Sequence, residues 1–154
     1  MRRIIDILFA IVIVCVLAGV ALHYKRERRF EQDVSMTRAE VRRFQAQIMV
    51  QSALEKVPMS QRGYPLLIEP RWFGENLPRN LLLGPAYPWV EIASVDQYGR
   101  THPARRMATD RKQAQFWYNP HSGVVRARVP DSVSDATALR LYNEINDSHV
   151  SRVY

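Results

Sequence analysis

Four histidines, His23, His102, His121 and His149, are the side chains best suited to bind a metal or move a proton. No two of them lie four residues apart, the spacing that places a pair of zinc ligands on one helix face. Serines and threonines are plentiful, but no Gly-x-Ser-x-Gly elbow presents one as a nucleophile. Nor does a glycine-rich loop join a strand to a helix in the way that cradles phosphate. The single cysteine, Cys15, rules out an internal disulfide and a thiolate cluster. The pattern reads as a protein without catalysis, cofactor or small-molecule substrate.

Basic residues beside aromatics are a second chemistry to weigh. Arg105, Arg106, Arg111 and Lys112 precede Phe116-Trp117-Tyr118, and the net charge is +7, a combination that can bind nucleic acid. Two observations argue against it. Phe116 and Tyr118 would share one face of a strand while Trp117 takes the other, and the aromatic-glycine signature of an RNA-recognition sheet is missing. Placing the charge also weakens the case. Residues 1–29 hold six Lys or Arg against two acids, so much of the excess flanks one apolar segment and suits anionic lipid headgroups.

That segment, Ile4 to Leu22, has Asp6 as its only charge and ends at Lys25-Arg26-Glu27-Arg28-Arg29. About 20 apolar residues are what a helix needs to cross about 30 Å of hydrocarbon. The run is longer than a signal-peptide core, and the basic cluster reads as stop-transfer, so a retained single-pass anchor is expected. Arg2 and Arg3 favour a cytoplasmic N-terminus, whereas the four basic residues after the span favour the opposite orientation by a slight margin.

Three regions follow from this reading: an anchor with basic flanks at 1–29, an amphipathic helix at 30–57, and a small globular α+β head at 58–154. In the second, Phe30, Val34, Thr37, Val41, Phe44 and Ile48 step by alternating four and three, the seam of a helix packed along its length. Val34, Val41, Phe44 and Ile48 are therefore expected to hold the helix to the head, and Pro58 to stop it. No Gly or Pro interrupts Lys25 to Val57, which favours continuity with the anchor. Residues 58–88 are rich in Pro and Gly and read as an ordered, irregular loop. Pro88 to Val95 reads as a strand, 101–112 as a surface loop, and Gln115 to Val129 as a hairpin turning at Asn119-Pro120-His121-Ser122-Gly123. Val125, Ala127 and Val129 should face the core, with Arg126 and Arg128 in water. A short helix, 131–145 with Ser134 as N-cap, completes the chain.

Ile4-Ile5-Asp6-Ile7-Leu8 resembles the apolar-acid-apolar N-terminus of the type IV pilin and type II secretion pseudopilin family, in which a Glu is usual. The aromatic-Asn-Pro-x-x-Gly hairpin of 115–129 is similar to the late hairpin of pseudopilins. Arg2 and Arg3 depart from the family pattern, and only Met1 would remain as a leader. The resemblance implies a long N-terminal transmembrane helix packed on a small antiparallel sheet, with a short C-terminal helix. It also implies a structural subunit of a secretion or pilus apparatus in the bacterial inner membrane, its head extracytoplasmic. Partners would be lipid and other copies or related subunits, met through Asp6, Ile7, Phe9, Val12 and Val16. Asp6 would neutralise a neighbour's N-terminal amine; on its residues alone it can equally pair with Arg2 or Arg3. Calcium near Asp131 and Asp135 is suggested by the family only. The alternative is a single-pass tether that binds or scaffolds without polymerising.

Overall fold

A computed structural model describes residues 2–131 and 133–153; the side chains of residues 2–8 and 10, those of Asp6 and Ile7 included, lie outside what it describes. Helix α1 runs from Arg2 to Leu54. The chain forms two units, residues 1–33 and 34–154. In the first, the described side chains of Phe9 and of 11–32 are exposed or nearly so, as a lone helix requires.

In the second unit, α1 contributes residues 34–54 and the head packs on their apolar stripe. Val34, Val41, Phe44 and Ile48 are all buried, and Thr37, the polar member of the stripe, accepts the Leu81 N–H at 3.1 Å. The helix stops three residues short of the expected Val57. Glu55 turns into the left-handed region at φ 52 while its N–H still donates to the Gln51 carbonyl, a turn that closes a helix end.

The strands are β1 (Val90–Ile92), β2 (Met107–Ala108), β3 (Phe116–Asn119), β4 (Val124–Ala127) and β5 (Val129–Pro130), followed by helix α2 (Asp135–Ile145). The expected antiparallel sheet is in fact mixed. Its order is β1-β3-β4, with β3 and β4 forming the antiparallel hairpin while β1 lies parallel to β3. The reason is topological: residues 93–115 carry the chain back across the sheet, so β3 re-enters in the direction of β1. Part of that crossover, read from sequence as surface loop, is β2. Met107 and Ala108 are buried and pair in parallel with β5 in a second, two-stranded sheet. Helix α2 begins at Asp135 rather than 131, because the Ser134 hydroxyl accepts the Thr137 N–H and sets the first turn. Its Ala138, Leu141, Tyr142 and Ile145 face the core.

The hairpin turn depends on Gly123 twice over. Its φ is +69, and a Cβ there would collide with the Tyr64 ring. Gly123→Ala is expected to destabilise the head by about 2 kcal/mol or more, read as a lower urea midpoint. Tyr64→Ala in the same chain should restore only part of the loss, since it removes the clash and leaves the strained backbone.

Candidate assembly surface

Phe9, Val12 and Val16, the described members of the expected assembly set, are 68%, 58% and 59% exposed. Ile11, Ile13, Val14, Leu17, Val20 and Leu22 are exposed with them, so apolar side chains cover every side of this helical stretch. Nothing in the first unit buries them. Such a surface exceeds what a single chain leaves open to water without a partner or lipid. Cys15 is also exposed. Next along the helix come Lys25, Arg26, Arg28 and Arg29, all exposed, with His23 and Glu27 paired one turn apart at 3.5 Å. Among the described residues no helix is long and apolar enough to cross a membrane; the run from Ile4 includes residues 4–8 and 10, whose side chains lie outside that set.

On the head side, Phe44 is fully buried in a cluster of rings. It lies face to face with Trp89 at 5.4 Å between centroids and edge-on to Phe73 at 5.1 Å and Phe116 at 5.4 Å. Offset and edge-on ring pairs add to ordinary burial. A charged tie supplements this packing: Arg38 and Arg42, one turn apart on α1, both donate to the Asp147 carboxylate beyond α2. Hydrogen bonding from Arg38, with a further contribution from Arg42, holds that carboxyl below its ordinary value.

Three features of the head escaped the sequence. Arg128, expected in water, is buried and lies between β4 and β5, where the chain leaves one sheet for the other. Its Nη2 donates to Glu91 Oε2 of β1 at 2.7 Å, its Nε to the Arg105 carbonyl at 2.9 Å and its Nη1 to the Ala114 carbonyl at 2.9 Å. One guanidinium thereby ties β1 to the segments that lead into β2 and β3, its charge met by a carboxylate. Second, two side-chain amides close the outer edge of β4. Gln45 of α1 donates to the Gly123 carbonyl and accepts the Val125 N–H; Asn146 accepts the Ala127 N–H and donates to the Ala127 carbonyl. Each imitates a peptide of an absent neighbouring strand. Third, Asn80 donates to the Gln115 and Arg128 carbonyls and, through its own N–H, to Gln115 Oε1. Sequence spacing gave no sign of these, because each joins residues distant in the chain.

His102 has a clearly displaced titration. Its Nδ1 lies 3.1 Å from the Tyr142 hydroxyl, and burial, helped by Arg126 and Arg106, lowers its pKa from 6.5 to about 4. The unfolded chain takes up a proton on this ring near pH 6.5 and the folded chain resists until about pH 4. Stability should therefore fall as pH drops through that window and level off below it. Asp147, held below its ordinary 3.8, acts in a separate and lower range. Urea midpoints measured across pH 4 to 7 should show the slope, and His102→Gln should flatten it.

Among the described residues no group of three or more His, Cys, Asp or Glu is placed to hold a metal ion. No family model, curated protein or solved structure matches this chain.

Proposed function

We propose that this chain is a pseudopilin-like structural subunit of a type II secretion or type IV pilus-type apparatus, held in the inner membrane by its N-terminal helix and assembled through it. The carrying observation is the bare apolar helix: Phe9 to Leu22 exposes large aliphatic and aromatic side chains on all sides with no cover from its own unit. Lipid and neighbouring helices of the same kind are the two environments that remove this cost, and van der Waals packing between apolar helices gives lateral association in the first. The basic cluster at 25–29 fits the headgroup layer beyond the span.

In this reading the head is a spacer. The aromatic cluster around Phe44 holds it to residues 34–54 of α1, and association of the N-terminal stretch would bring the heads of neighbouring copies together. Asp6, one of two acids in residues 1–29, would find a cation near the membrane edge, since an unpaired carboxylate in lipid is costly. A tether that binds or scaffolds without polymerising shares the anchor and differs only in self-association.

A topology reporter fused after residue 154, paired with one fused before residue 1, tests the reading. An extracytoplasmic head is the expected result, and a cytoplasmic head would remove the proposal.

A further inference from the structure

The two margins of the three-stranded sheet are treated differently. Along β4 the Gln45 and Asn146 amides occupy the outward N–H and C=O groups. Along β1 nothing comparable is present. In the parallel register Val90↔Phe116 and Ile92↔Tyr118, the amide of Glu91 faces β3, and the bonds Phe116 N–H to Trp89 C=O and Ala93 N–H to Tyr118 C=O continue that side of the ladder. Val90 and Ile92 consequently turn their N–H and C=O groups away from the sheet. Among the described residues no helix, loop or side chain hydrogen-bonds to them. Val90-Glu91-Ile92 contains no Pro or Lys, two of the residues that commonly blunt such an edge.

We infer that the free edge of β1 is a docking site for an extended segment of a different polypeptide, which pairs with Val90 and Ile92 as an added strand. Backbone groups facing outward in a row select an extended chain over a helix or a small ligand. The side chains narrow the choice. Val90 and Ile92 are half-buried and ask for apolar residues opposite them on the same face. A cleft of about 460 Å³ lined in part by Leu77, Pro78, Tyr87 and Trp89 lies at the start of β1, since Trp89 is the residue before Val90, and it can take one further apolar side chain.

Charge decides against a second copy of this chain. The two-fold pairing that engages Val90 and Ile92 of both β1 strands matches Val90 with Ile92 and sets Glu91 against Glu91 in the close, non-hydrogen-bonded position. Like charges directly opposite are unfavourable there. Glu91 already uses Oε2 on Arg128, and its side chain is 38% exposed, so the residue facing it should carry no negative charge.

The test uses the full chain in detergent micelles and amide hydrogen exchange read by NMR. The probe is a capped peptide alternating valine and threonine, with threonine at its centre. Without peptide, the amides of Val90 and Ile92 should exchange at least about tenfold faster than those of Glu91 and Ala93, which are tied to β3. Adding the peptide should slow the first pair about tenfold, and the same peptide with glutamate at its centre should do so only at higher concentration. Val90→Pro and Ile92→Pro each remove one outward N–H and none that β3 uses; either should abolish the protection while tryptophan fluorescence reports an intact head. Equal protection of all four amides without peptide would overturn the inference, as would unchanged exchange at the highest soluble peptide concentration. Protection that grows with protein concentration alone would overturn it too, by assigning the edge to a second copy.

Discussion

Phe44→Ala is expected to cost the head about 3–5 kcal/mol. The side chain is fully buried and touches three other rings, so its removal takes away both its own transfer free energy and the contacts of Phe73, Trp89 and Phe116. Trp89 also donates its Nε1–H to the Pro78 carbonyl at 2.9 Å, which pins the ring and limits collapse into the space. The cost should therefore fall toward the upper part of that range, because sites that relax poorly lose most. Phe44→Leu keeps most of the volume and should lose roughly a third as much. Equilibrium urea unfolding of the full chain, followed by tryptophan fluorescence, gives both values. A loss below about 1 kcal/mol for the alanine variant would mean that α1 does not carry the head in this way.

Arg128→Met should be comparably damaging, about 3–5 kcal/mol, for a different reason. Methionine fills much of the space but leaves the Arg105 and Ala114 carbonyls without their donor, and Glu91 without its counter-charge. A buried acceptor stripped of its partner costs about 1–3 kcal/mol. Glu91 is more exposed than Arg128 and can recover water, so the two carbonyls should dominate. A double-mutant cycle separates the contributions. In the Glu91→Met background, Arg128→Met should keep most of its effect on stability, and the difference between backgrounds measures the ion pair. Additive losses would mean that the ion pair, its hydrogen bond included, contributes little to stability. A neutral Arg128→Met would show that the junction between the sheets does not need the guanidinium.

Local signals carried much of the architecture. From Val34 to Ile48 the alternating four-and-three stripe falls on residues that are buried in the head, whereas its first member, Phe30, is exposed; the absence of Gly and Pro from 25 to 57 matches a helix that continues to Leu54. Asn119 and Gly123 marked the hairpin turn because their side-chain chemistry and positive φ are properties of single residues. Ser134 announced α2 in the same manner. What could not be read was non-local. A parallel β1–β3 pair has no turn to announce it, and Met107-Ala108 is too short to show a period. Arg128 alternated with apolar residues as an outward position does; its burial depends on Glu91 and on two carbonyls brought close only by the fold. Gln45 and Asn146 look like ordinary surface amides until β4 is in place. Among the expected assembly residues, Phe9, Val12 and Val16 are found exposed, while Asp6 and Ile7 lie outside the described side chains.

Self-association of the N-terminal helix is the claim on which the proposed function depends. Disulfide trapping in membranes of producing cells tests it most directly, with the cysteine kept at Cys15 or moved singly to positions 12, 13, 14 or 16 in a Cys15→Ser chain. Successive residues on a helix are about 100° apart, so these five positions sample every face. Pseudopilin-like assembly should give strong cross-linked dimers at the positions on one or two faces and weak ones on the rest. Monomer at all five positions, under oxidation that cross-links a known helical dimer in the same membranes, would contradict it and leave a solitary tether.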